Sequence, residues 1–293
     1  MENLRSASAR EWYDGGRIVN LHGLDVFVRR GGKPAAGGEA TVFLHGFPSS
    51  SHDWHRVDAL LGDAPRLYFD FPGYGFSAKP AGYSYSLFEQ ADVVEGLCRA
   101  EGLREVRLIA HDMGTSVACE LAARRLRGLL SFGLRSLVLM NGSVHLELAH
   151  LTPSQKLLRS PLGPLAARLS SRTAFTAQIR RILARPVGAD ELDAMWELLR
   201  LHEGNLRLPR IIRYLDERTR FAERWIGALT KLDVPVGVIW GRKDPVAVAA
   251  IAEALAAEIP GATLRWLEGL GHYPQLEDPP AVVAALATFW GKR

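Results

Sequence analysis

The sequence predicts an α/β fold: a mostly parallel, eight-stranded sheet with helices on both faces and an inserted all-helical segment. Three observations carry this expectation. Short β-branched or aromatic runs alternate with helix-spaced apolar patterns through the first half of the chain, the signature of strand–helix–strand units. The alternation stops over residues 144–229, where only helical spacing is found. It resumes after residue 230 with two further strands, each followed by a loop and a helix.

Residues 1–15 read as a loosely held leader. Arg17 to Asn20 and Leu24 to Val28 are two strands around His22-Gly23, an antiparallel hairpin at a sheet edge. Gly31 to Gly38 is a surface loop. Thr41 to His45 is a short buried strand ending in His45-Gly46-Phe47-Pro48, where Gly46 permits close backbone approach and Pro48 stiffens the turn. A short helix is expected over Trp54 to Leu61 and a strand over Arg66 to Asp70. The glycine-rich loop from Asp70 to Ser77 has no Lys-Ser or Lys-Thr pair and no dinucleotide spacing, so it is not a phosphate cradle. Leu87 to Ala100 is an amphipathic helix. The strand Val106 to Ala110 stops at a small-residue turn, and a helical pattern begins at about Ser116. Leu134 to Met140 is the next strand.

The insertion reads as helical throughout, with apolar spacing in Phe175 to Leu183, Leu192 to Leu201 and Leu208 to Ile226. It divides the chain into a core, residues 16–143 and 230–293, and a lid, residues 144–229. Beyond it come the strand Val234 to Trp240, the helix Val246 to Ile259 and the strand Thr263 to Leu267. A closing helix, Pro279 to Trp290, has proline at its start, where the missing N–H costs nothing.

A chain of 293 residues suits one large α/β domain with an insertion, and 47% hydrophobic content is enough for a sizeable core. The net charge of +4 is spread without a lysine/arginine block, which argues against a nucleic-acid partner. Arg124, Arg125 and Arg127 fall near a helix end, where cations complement the dipole. Cys98 and Cys119 occupy apolar helix positions, as buried free thiols do, and nothing has metal-ligand spacing. No apolar run approaches the roughly 18 residues of a membrane span. Met1 to Tyr13 lacks the apolar core of a signal peptide, so a cytoplasmic protein is expected.

The chemistry centres on Leu108-Ile109-Ala110-His111-Asp112-Met113-Gly114-Thr115. Strand, sharp turn and helix follow one another as at a nucleophile elbow, with a carboxylate where serine usually stands. Asp112 would equally suit a helix N-cap, as would Asp244 before Pro245. His272 would equally suit a satisfied loop histidine. Their joint occurrence separates the readings: carboxylate, acid and histidine lie in that order at the carboxyl ends of three strands, where open α/β sheets bind ligands. That is the triad order of the α/β-hydrolases. The backbone N–H groups of Phe47 and Met113 are candidate oxyanion donors; His45 is assigned to the turn.

The motifs Phe43-Leu44-His45-Gly46-Phe47-Pro48, Gly73-Tyr74-Gly75-Phe76-Ser77, Phe88-Glu89-Gln90-Ala91, His111-Asp112-Met113-Gly114 and His272-Tyr273-Pro274-Gln275-Leu276-Glu277-Asp278-Pro279 extend the case. On these, from about Thr41 to Trp290, the chain resembles the aspartate-nucleophile α/β-hydrolases, the group of epoxide hydrolases and haloalkane dehalogenases. Within the group it is most similar in appearance to the mesoderm-specific transcript family of animals and its bacterial relatives. A carboxylate attacking an ester gives an anhydride, whereas attack on a saturated carbon gives an alkyl ester that water can hydrolyse. The resemblance therefore implies a cofactor-independent hydrolase without a metal. Asp112 forms the ester, His272 activates water and Asp244 orients the imidazole.

Dehalogenases of that group place tryptophan after the nucleophile, and many place asparagine after the His-Gly pair; here Met113 and Phe47 stand there. Epoxide hydrolases protonate the leaving oxygen from lid tyrosines. Tyr214 is the only tyrosine of the lid and the second is missing; His145, His150 and His202 are possible substitutes, and no spacing chooses among them. A structural role for Tyr214 is the competing reading. The expected function is opening of a small apolar epoxide. The alternatives are dehalogenation by the same route, ester or lactone hydrolysis with Asp112 as a base for water, and a non-catalytic relative that binds an apolar ligand. Trp196, Leu198 and Trp225 would line an apolar pocket or simply the core.

Overall fold

The computed structural model describes residues 4–34 and 36–291. Eight strands, β1 (Gly16–Leu21), β2 (Leu24–Gly31), β3 (Glu39–Leu44), β4 (Arg66–Phe69), β5 (Glu105–His111), β6 (Gly133–Met140), β7 (Val236–Gly241) and β8 (Thr263–Leu267), form one sheet in the order β1-β2-β4-β3-β5-β6-β7-β8. β1 and β2 pair antiparallel around the His22-Gly23 turn, and β2 pairs antiparallel with β4. Every pairing from β4 to β8 is parallel. The central strands turn apolar and buried toward their carboxyl ends, where both faces are covered. Leu108 and Ala110 of β5, with Val238 and Trp240 of β7, join one core cluster; Ile109 and Ile239, pointing the other way, join the second.

The helices of the first half are α1 (Ala7–Asp14), α2 (His55–Asp58), α3 (Leu87–Ala100) and α4 (Met113–Leu126). A 3₁₀ turn, Ser51–Trp54, leads into α2, so the helix expected over Trp54 to Leu61 is α-helical only from His55 to Asp58. α4 begins at Met113, three residues before the position expected, because the turn is completed by one residue, Asp112.

The leader reading is corrected for residues 4–15; residues 1–3 lie outside the described residues. Ser6 caps α1 by accepting from Ala9 N, Leu4, Ala9 and Trp12 are buried, and Trp12 Nε1 donates to Ser51 Oγ at 3.1 Å. The N–H groups of Arg5 and Ser6 donate to Glu197 in the insertion. The few apolar residues of this polar stretch fall on one face of a short helix and supply its anchor.

Between β6 and β7 lie α5 (Pro153–Arg159), α6 (Gly163–Arg168), α7 (Arg172–Ile182), α8 (Ala189–Arg200), α9 (Leu208–Ile211), α10 (Tyr214–Arg220) and α11 (Ala222–Leu229). Two expectations change here. Residues 144–152 are irregular, not helical; His150 N donates to Val246 O, tying the stretch to the loop after β7. The pattern Leu208 to Ile226 is three short helices, which turns Tyr214 inward at the start of α10. After β7 come α12 (Ala249–Glu258), α13 (Pro274–Glu277) and α14 (Pro279–Gly291). No described helix is long and apolar enough to cross a membrane. Both cysteines are free and buried, as expected.

Candidate active site

Asp112 takes φ 46°, ψ −112° at the end of β5, a backbone conformation that side-chain-bearing residues rarely adopt. Its neighbours must be small. A Cβ on Gly46 would lie 2.6 Å from Asp112 Cβ, and one on Gly114 would lie 2.8 Å from His45 O. The N-cap reading of Asp112 is set aside, because its side chain makes no capping bond to α4. Instead Oδ2 accepts from Phe47 N at 2.7 Å. Phe47 is held in place by Tyr273 Oη donating to its carbonyl and by a turn braced on His45; its bond to Pro48 is cis. His45 Nδ1 donates to Gly46 O and Nε2 accepts from Phe71 N, which leaves no nitrogen for chemistry. The Met113 side chain is fixed by a hydrogen bond from Tyr74 Oη.

His272 and Asp244 come to the same point. His272 Nδ1 lies 2.7 Å from Asp244 Oδ2, and Nε2 lies 4.0 Å from Asp112 Oδ1. All three side chains are buried. The two readings of Asp244 divide between its oxygens: Oδ1 accepts from Val246 N and Ala247 N, while Oδ2 faces the histidine. Burial opposes a charged imidazole at His272. The Asp244 carboxylate, with a contribution from Asp112, outweighs it and pushes the pKa up to about 9.

Several supporting residues escaped the sequence reading. Asn141, at φ 44° just beyond β6, donates Nδ2 to Asp244 Oδ2 at 2.8 Å and accepts from Gly241 N at 3.0 Å. Its only sequence signal was an amide at a strand's carboxyl end. His111 Nε2 donates to His272 O at 2.7 Å, and burial, with His272 beside it, pushes its pKa down to about 4. Glu277 accepts from Gly271 N, Ala184 N and Arg185 N, binding the histidine loop to the end of α7.

Tyr214 is buried, with its ring 5.8 Å from that of Phe47. Its hydroxyl has no hydrogen-bond partner among the described residues, and burial, with Asp112 nearby, raises its pKa, so it keeps its proton. The three histidines weighed as substitutes do not join it. His145 is held between Glu147 and Glu258, and His150 and His202 are exposed. Arg218, not anticipated from sequence, packs its guanidinium over the Tyr214 ring at 4.7 Å.

A cavity of about 80 Å³ opens beside His272, walled mainly by Phe47, Pro48, Leu158, Phe175, Ile179 and Leu208. The tryptophans considered for it lie elsewhere: Trp225 is core, its Nε1 donating to Glu120, and Trp196 packs on Phe175 outside the cavity wall. Leu198 is core as well. Among the described residues one cluster has metal-ligand chemistry, His52, His55 and Glu191. Its two imidazoles stack at 4.2 Å and 11°, His55 Nε2 lies 3.3 Å from Glu191 Oε1, and the cluster shares no residue with Asp112, Asp244 and His272.

Known proteins bear on this geometry. A sequence model of the alpha/beta hydrolase family matches residues 41–286. LipZ of Mycobacterium tuberculosis, named as a hydrolase, is 48% identical over 286 residues, spanning 96% of this chain and 98% of its own. The human mesoderm-specific transcript homolog protein is 35% identical over 298 residues, spanning 97% and 88%. Among solved structures, the haloalkane dehalogenase DatA of Agrobacterium tumefaciens C58 has a TM-score of 0.79 at 21% identity, covering 94% of this chain and 96% of its own, a likeness of fold. With a sheet, an elbow and a family match that agree over most of its length, this chain belongs to the alpha/beta hydrolase family.

Proposed function

We propose that this hydrolase opens small apolar epoxides through a covalent ester on Asp112, with the segment 144–229 serving as a lid on the core of residues 16–143 and 230–293. The observation that carries the reading is the Asp112 carboxylate itself. It accepts a hydrogen bond from Phe47 N at 2.7 Å and lies 4.0 Å from His272 Nε2. In the first step Asp112 Oδ1 attacks an epoxide carbon, the C–O bond breaks, and the leaving oxygen takes the proton of Tyr214. In the second, His272 removes a proton from water, which attacks the ester carbonyl. The N–H groups of Phe47 and Met113 hold the oxyanion until the diol leaves. Hydrolysis releases one proton overall, and it restores Tyr214.

Charge explains the change in the role of His272. With Asp112 ionised, both carboxylates favour the imidazolium, hence the pKa of about 9. Esterification removes the charge on Asp112 and with it part of that support, which favours the neutral imidazole needed as base. Neither Met113 nor Phe47 carries a side-chain N–H for a halide, which favours an oxygen leaving group.

The test uses His272→Gln, which forms the ester and does not hydrolyse it. The variant is incubated separately with epoxides and haloalkanes, and intact mass and peptide mapping locate any adduct. An epoxide adduct on Asp112 is expected. A haloalkane adduct with halide release would make the enzyme a dehalogenase, and no adduct from either panel would overturn the nucleophile assignment.

A further inference from the structure

Arg218 is 1% exposed, yet among the described residues no carboxylate lies within ion-pairing distance of it. Nε donates to Ser116 Oγ at 2.7 Å and Nη2 donates to the backbone carbonyl of Asp112 at 3.1 Å. Nη1 has no hydrogen-bond partner among the described residues, and the guanidinium carbon stands 4.7 Å from the centre of the Tyr214 ring. Arg218 follows Tyr214 by four residues on α10, so the two side chains share one face of that helix. Among the described residues, the other orphaned polar atom on that face is the Tyr214 hydroxyl.

A buried cation is costly unless paired or fully hydrogen-bonded. A neutral side chain could tie α10 to the elbow through the same two acceptors. The positive charge therefore calls for a reason, and its neighbours offer one: a guanidinium over an aromatic ring lowers the cost of negative charge on that ring's oxygen.

Resting on the reading of Asp112 and Tyr214 given above, we propose that Arg218 is a positioning residue for ester formation. Anchored on the elbow by its two hydrogen bonds, it supports the negative charge left on Tyr214 Oη when its proton passes to the leaving oxygen. Arg218 keeps all its own protons.

The experiment is a double-mutant cycle in the His272→Gln background, reading the rate of Asp112 alkylation by styrene oxide from intact mass. Arg218→Met should slow alkylation by about 100-fold, and Arg218→Lys, which keeps the charge, should recover roughly a tenfold part of that. Combined with Tyr214→Phe, the Arg218→Met change should cost less than about threefold more, because its effect passes through the hydroxyl. Circular dichroism checks that each variant is folded; if Arg218→Met is not, the cycle is run with Arg218→Lys. Penalties of equal size with and without the Tyr214 hydroxyl would show a merely structural tie and overturn the proposal. If the His272→Gln parent alkylates and Arg218→Met does so equally fast, the proposal alone fails. If the parent forms no ester, the reading of the site fails and this proposal fails with it.

Discussion

At the scale of single residues, the candidate site depends on side chains that each satisfy more than one demand. Asp244 shows this clearly. One oxygen serves the backbone of the following turn and the other serves His272, so the carboxylate cannot rotate without losing hydrogen bonds on both sides. Asn141 completes the arrangement by donating to the oxygen that faces His272. Replacing Asn141 by alanine should slow hydrolysis of the Asp112 ester by about 10- to 100-fold, the loss typical when a group orienting a reactive side chain is removed. Ester formation, which the proposed mechanism assigns to Asp112 and Tyr214, should change little. Burst kinetics separate the two: a larger accumulation of ester is expected, and an equal fall in both steps would argue against the orienting role.

At the scale of elements, short segments with few apolar residues do more than their composition suggests. α1 carries Ala9 and Trp12 on its buried face and reaches α8 through Glu197. Trp12 also stacks beneath Arg29 and meets Tyr68 edge-on. Trp12→Ala should destabilise the fold by about 3 kcal/mol, the usual cost of emptying a buried aromatic site. Ester formation in the His272→Gln background should hardly change. Urea unfolding measures the first and intact mass the second. A shift in midpoint worth well under 1 kcal/mol would mean that α1 is held only at its ends. α13 makes the complementary point: a helix of four residues positions the His272 loop because Glu277 gathers three backbone N–H groups around one carboxylate oxygen.

At the scale of the molecule, stability and site share one charge cluster. The His272 pKa in the folded chain, about 9, lies above the unfolded value near 6.5. Its protonation therefore stabilises the fold fully below about pH 6.5, and that contribution is lost as pH rises through about 9. Compared by denaturant unfolding, the parent chain should be more stable than His272→Gln at pH 6, and the gap should narrow by pH 10. A gap independent of pH would mean that the imidazole is not charged in the resting protein.

The sequence by itself determined the alternation of strands and helices, the place of the insertion and the three residues at the strand ends. These are local signals: an apolar run that stops, a small-residue turn, a polar side chain just past it. Asp112, Asp244 and His272 were legible because each lies in the turn or loop just beyond a strand of a parallel sheet, and such strands end on one side. The reading of residues 4–15 as loose failed because a helix of eight residues has little periodicity to show, and its anchor, Ser51, lies in another part of the chain. Only the tertiary structure decided which oxygen of Asp244 faces the histidine, and that Asp112 turns away from capping α4. It also brought Arg218, 106 residues distant in sequence, onto the Asp112 carbonyl, and Asn141 onto Asp244, 103 residues away. Contacts of that range leave no periodic trace, because they depend on how β5, β6 and β7 lie side by side and on how α10 is turned over them.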